Sequence, residues 1–70
     1  MNPLMMRILK IDFFLYCREN NLEGVNDCLS RGVDVNTVNV DGTGWSALMV
    51  ACSSGSSAVV ARLVQQRVGR

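Results

Sequence analysis

The side chains able to do chemistry in this 70-residue chain are few. There are three cysteines, Cys17, Cys28 and Cys52, and no histidine. No two cysteines are spaced Cys-x-x-Cys, so neither a structural zinc site nor a redox dithiol is written here. An odd number of thiols also makes a poor disulfide framework and suits a reducing compartment. All three stand among apolar residues, where cysteine packs as a small hydrophobe, so each is expected to be buried. Without histidine, no Ser/His or Cys/His nucleophilic pair can be built. Asp12, Glu19, Glu23, Asp27, Asp34 and Asp41 are scattered acids that read as solvated faces, caps and turns. Gly42-Thr43-Gly44 lacks the lysine and the strand-to-helix setting of a phosphate loop. The sequence therefore predicts no catalytic residue, no metal site and no cofactor.

What remains is surface recognition. Seven basic and six acidic residues leave a formal charge of +1, with no basic stripe to hold nucleic acid. About half of the residues (49%) are apolar, which separates the chain from disordered sequences. The single tryptophan, Trp45, has two readings. It is either a hot spot at an interface or a plate packed across the base of its own loop.

The elements that must position these residues repeat. Phe13 aligns with Leu48, Tyr16 with Ala51, Cys17 with Cys52, Val25 with Val60 and Leu29 with Val64, each pair separated by 35 positions (48 − 13 = 35). Asn20 and Gly55 pair at the same interval, and both residue types tolerate a left-handed turn. Within each copy the apolar residues recur at i, i+3, i+4, as in Phe13/Tyr16/Cys17 and Leu48/Ala51/Cys52, then Val25/Cys28/Leu29 and Val60/Leu63/Val64. That is the helical period, so each copy reads as helix, tight turn, helix.

The punctuation agrees. Ser46 is suited to cap a helix over about 47 to 54, and Asn20 or Asn21 one from Leu22 to Arg31. Gly32 follows Arg31 where a C-terminal glycine belongs. Ser56 or Ser57 opens the last helix, and Asn2-Pro3 opens the first. Between Val33 and Gly44 the helical period stops. Turn-forming Asp34, Asn36, Asn39, Asp41, Gly42 and Gly44 alternate with Val35, Val38 and Val40, which predicts a projecting hairpin loop.

These residues resemble the ankyrin repeat family, whose units of about 33 residues comprise a β-turn and two helices. Ser46-Ala47-Leu48-Met49-Val50-Ala51 occupies the place of the family's T-P-L-H-x-A opening, matching at Leu48 and Ala51 and keeping a hydroxyl at Ser46. Ala47 and Met49 replace its proline and histidine. Asp41-Gly42 resembles the start of a repeat, and Gly55 its inter-helix glycine. Gly32-Val33-Asp34-Val35-Asn36 is similar to the G-A-D-V-N exit. The longer interval is accommodated as an insertion at Thr43-Gly44. The second copy ends at Arg67-Val68-Gly69-Arg70, short of an exit motif of its own.

The resemblance implies an all-α fold of two helix-turn-helix units joined by a hairpin loop, with an N-terminal helical extension. Residues 1–10 are the extension, 11–40 a degenerate first repeat, and 41–70 a truncated second one. It further implies binding of another protein through the hairpin tip and the concave helix face. On this chain that means Asn39, Asp41, Thr43, Trp45, Met49 and Ser53, with Phe14 and Arg18 adding surface on the same side. The uncapped second repeat offers a route to self-association, and a non-binding fragment of a longer repeat protein is an alternative. A stack of two repeats is expected to be marginally stable, because about three are usually needed before the interfaces between them outweigh the ordering entropy.

Arg7, Lys10 and Asp12 interrupt the apolar start, so no uncharged stretch within it approaches the ~20 residues needed to span a bilayer. The apolar start, Met1 to Cys17, lacks the continuous core and cleavage site of a signal peptide, so an intracellular, cytoplasmic or nuclear setting is expected. Arg7 and Lys10 would have to snorkel if Leu4, Met5, Ile8, Leu9 and Phe13 inserted into a membrane surface. Packing over the first repeat is the favoured reading, since Phe13, Tyr16 and Cys17 have repeat equivalents.

Overall fold

The two turns that close the helix pairs are built from the same bonds. In the computed structural model, which describes residues 3–39 and 42–68, Asn20 has φ 57° and Gly55 φ 71°. The Asn21 N–H then donates to the Tyr16 carbonyl at 2.9 Å, and the Ser56 N–H to the Ala51 carbonyl at 2.9 Å. Asparagine and glycine serve here because most side chains clash in the left-handed region.

Around these turns stand four helices: α1 (Pro3–Arg18), α2 (Leu22–Ser30), α3 (Ala47–Ser53) and α4 (Ser57–Val68). Among the described residues the fold is all-helical, with one isolated antiparallel bridge between Val38 and Ser46. Pro3 opens α1 at a position that needs no N–H partner. Its expected cap, Asn2, lies outside the described residues. Asn21 caps α2 by accepting from the Gly24 N–H at 3.0 Å. Gly32, at φ 103°, lets the Val33 N–H return to the Cys28 carbonyl and end that helix.

α1 packs against both α2 and α3, and α3 against α4, with a lighter contact between α2 and α4. Phe13, Cys17, Val25, Ala47, Ala51, Val59 and Leu63 are wholly buried between them. Tyr16 and Val60 lean on that cluster, so Tyr16, Val25, Ala51 and Val60 share one interior as the repeat reading requires. Polar ties cross the seam between the pairs. Ser56 Oγ donates to the Arg18 carbonyl (3.3 Å), Asn20 Oδ1 accepts from the Val59 N–H (3.3 Å), and Arg62 Nε donates to Asn26 Oδ1 (2.6 Å).

Three expectations are corrected. Cys52 is exposed, whereas its equivalent Cys17 is buried. Phe14 is buried too, edge-on to Phe13 at 5.7 Å, so it adds no binding surface. Both outcomes have one cause: α3 covers this side of α1, while no described element covers the same side of α3. In α4 the fully buried valine is Val59, with Val60 half-buried and Val64 exposed. The valine-rich loop forms the single Val38–Ser46 bridge and no strand among the described residues, and Val40 lies outside them.

Burial has a chemical consequence for the thiols. Desolvation pushes Cys17 from 9.0 up to about 12, with Cys28 beside it adding to the shift. Cys28 is raised as well, by burial first and then by the carboxylates of Asp27 and Asp12, against a smaller opposing effect of Arg31. Its Sγ lies 3.7 Å from the Leu9 carbonyl, a weak donor contact that ties α2 to α1.

Candidate functional site

Turn chemistry in the loop decides where Trp45 sits. Asp34 Oδ1 accepts from the Asn36 N–H at 2.9 Å and its carbonyl from the Thr37 N–H at 3.0 Å, which starts the loop as a tight turn anchored by buried Val33. The two arms then meet: the Asn39 N–H donates to the Trp45 carbonyl at 2.7 Å. Gly42 and Gly44 carry the tip at φ 99° and 69°. Thr43 Oγ1 accepts from the Trp45 N–H at 3.2 Å, and Ser46 caps α3 by accepting from the Met49 N–H at 3.3 Å. Trp45 is thus held by its backbone on both sides while its side chain remains 41% exposed.

The loop and the helices enclose an open cleft of about 200 Å³. Asn39, Thr43, Trp45 and Ser53 line it, together with Arg18 and Val50. Arg18 ends α1, where a cation suits the negative helix terminus, and its carbonyl is fixed by Ser56 from the second pair. The cleft therefore spans both helix pairs. It offers a cationic group, hydroxyl and amide groups, and one indole at its edge.

Four of the six residues expected to meet a partner come together here. Met49 stands apart, exposed on α3 and outside the cleft lining, and Asp41 lies outside the described residues. Arg18 was legible only as neighbouring surface. Val50 and Ser54, which also border the cleft, gave no sequence signal beyond their place on the helix after Ser46. The link from Asn20 to Val59 was missed as well. The pairing of Asn20 with Gly55 showed a turn and hid the free amide that reaches across the seam.

A family model described as ankyrin repeats in many copies matches residues 12–64. The chain belongs to the ankyrin repeat family. No curated protein and no solved structure gives a match. Ankyrin repeats are generally protein-interaction modules rather than enzymes, which fits a site made of a loop tip and a helix face. Two helix pairs with matching turns are the ankyrin unit seen twice, and the match begins at residue 12, part-way along α1. No described helix is long and apolar enough to cross a membrane.

Proposed function

We propose that this ankyrin chain captures a protein partner in the cleft between Arg18 and Trp45, with residues 11–40 and 41–70 as its two repeats and 1–10 as an extension. The observation that supports this reading is the convergence of Asn39, Thr43, Trp45 and Ser53 with Arg18 around one opening. Aromatic and arginine side chains dominate the energetics of protein interfaces when partly buried by a partner. The indole contributes apolar area at low entropic cost, and the guanidinium can pair bidentately with a carboxylate. A short peptide segment bearing an acidic side chain next to an apolar one suits that pairing. Asp41 and Met49 would extend the contact from the tip and from α3. Three free cysteines suit a reducing, intracellular setting.

Peptides selected from a random library on the intact chain provide the test, with the single Trp45 as fluorescent reporter. The expected result is enrichment of acidic-apolar sequences that shift Trp45 emission. Their affinity should fall at least ~30-fold for Trp45→Ala, a loss of about 2 kcal/mol. Equal binding by the native chain, Trp45→Ala and Arg18→Gln would remove the cleft from the proposal.

A further inference from the structure

α1 carries a feature that the repeat fold does not use. Leu4, Ile8, Ile11 and Leu15 stand at intervals of four, three and four residues (8 − 4, 11 − 8, 15 − 11) and are between 41% and 65% exposed. At 100° per residue they form one stripe, on the side of the helix opposite Leu9, Phe13 and Cys17, which face the core. Leu4, Ile8 and Ile11 also precede residue 12, where the ankyrin match begins. The repeat scaffold therefore gives no account of them.

The spacing is that of a coiled-coil seam, with Ile8 and Leu15 at one core position and Leu4 and Ile11 at the other. In that register Arg7 and Asp12 flank the seam on opposite sides, at the g and e positions. They are five residues apart (12 − 7 = 5), the offset at which g of one helix meets e of a parallel partner. Antiparallel pairing matches g with g and e with e, which sets Arg7 beside Phe14 and Asp12 beside Met5 and leaves both charges without an opposite partner. Neither Arg7 nor Asp12 belongs to the ion pair among the described residues, which joins Asp27 and Arg31. Glu19 extends the acidic flank, and Arg18, seven residues after Ile11 (18 − 11 = 7), ends the apolar stripe. An anionic membrane could pair with Arg7 but would set Asp12 and Glu19 against like charge, whereas a second copy satisfies both edges at once.

We propose that two copies of the chain pair in parallel along α1, closing the Leu4–Ile8–Ile11–Leu15 stripe and setting Arg7 of each copy against Asp12 of the other. Two heptads are too short to pair as free peptides. Here α1 is already held helical by Leu9, Phe13 and Cys17, so little ordering entropy opposes association. The seam is small compared with stable dimer interfaces, which places the pairing in the concentration-dependent, micromolar range. The pair carries two Trp45 clefts, one per copy, and would bind a partner with repeated motifs by avidity.

Sedimentation velocity of the full chain under reducing conditions, from about 5 to about 500 μM, reads the result directly. A monomer–dimer equilibrium is expected, and Ile8→Glu with Ile11→Glu should hold the chain monomeric while its far-UV CD stays helical. Arg7→Glu and Asp12→Arg should each weaken pairing by roughly three- to tenfold, and the double exchange should restore it. A monomer at every concentration overturns the proposal, as does co-sedimentation of a monomeric chain with phosphatidylserine vesicles. Loss of pairing in Met49→Glu/Val64→Glu with Ile8→Glu/Ile11→Glu unaffected would assign the contact to the second repeat and overturn it equally. None of these seam positions lines the Trp45 cleft, so this test stands apart from peptide binding.

Discussion

The first and second repeats hold the same residue pattern and treat it differently. Cys17 is buried and Cys52 exposed; Phe14 is 3% exposed and its equivalent Met49 is 49% exposed; Leu29 is half-buried and Val64 largely open. The side of α1 that carries Phe14 and Cys17 receives α3. The matching side of α3 receives no described helix. A helical stripe therefore records which residues are able to pack, and the neighbouring repeat decides which of them do. Stability is then a sum of packing within each pair and packing across the seam between them.

That contrast can be broken most forcefully at Phe13. Its replacement by alanine empties a fully buried site and is expected to cost about 3 to 5 kcal/mol, enough to unfold most of a chain this small. Leu48, its equivalent on α3, is only half-buried, and Leu48→Ala should cost roughly 1 kcal/mol. Urea titration followed by CD checks both. Equal losses would show that the two repeats are covered alike.

A second pair sharpens the comparison from inside. A Cβ on Gly24 would lie 2.5–2.7 Å from three ring carbons of Tyr16, so the first repeat sets a large residue on α1 against none on α2. Thirty-five positions on (51 − 16 = 59 − 24 = 35) the second repeat reverses this with Ala51 and Val59, both fully buried. Gly24→Val alone should destabilise by about 1 to 3 kcal/mol through overpacking. Combined with Tyr16→Ala, which makes the room, the double variant should be more stable than the sum of the single losses implies. Additivity within about 0.5 kcal/mol would mean that the two positions do not share one space.

Much of this was readable beforehand because turns and caps are local chemistry. Asn21, Gly32, Ser46, Gly55 and the backbone of Asn20 act within a few residues of themselves, and the structure uses each where the sequence suggested. The interval of 35 located the shared interior of Tyr16, Val25, Ala51 and Val60 for the same reason: helical period is a local property. Facing was not readable. Phe14 and Cys52 differ from their expected environments because burial on a second helix side depends on what lies beyond the pair. Val59 and Val60 are adjacent valines, so apolarity could not say which would be wholly enclosed. At the cleft, Trp45, Asn39, Thr43 and Ser53 were indicated through resemblance to a family, whereas the place of Arg18 depends on how α1 ends against Ser56.

Native-state alkylation of the three thiols, resolved by mass spectrometry at about pH 8, tests the stacked geometry most directly. Cys52 is exposed and should label within minutes. Cys17, enclosed by the second repeat and protonated up to about pH 12, should label only as the chain opens, and Cys28 likewise slowly. Cys17 reacting as fast as Cys52 in the folded chain would mean that the second repeat does not cover the first, and the account would fall.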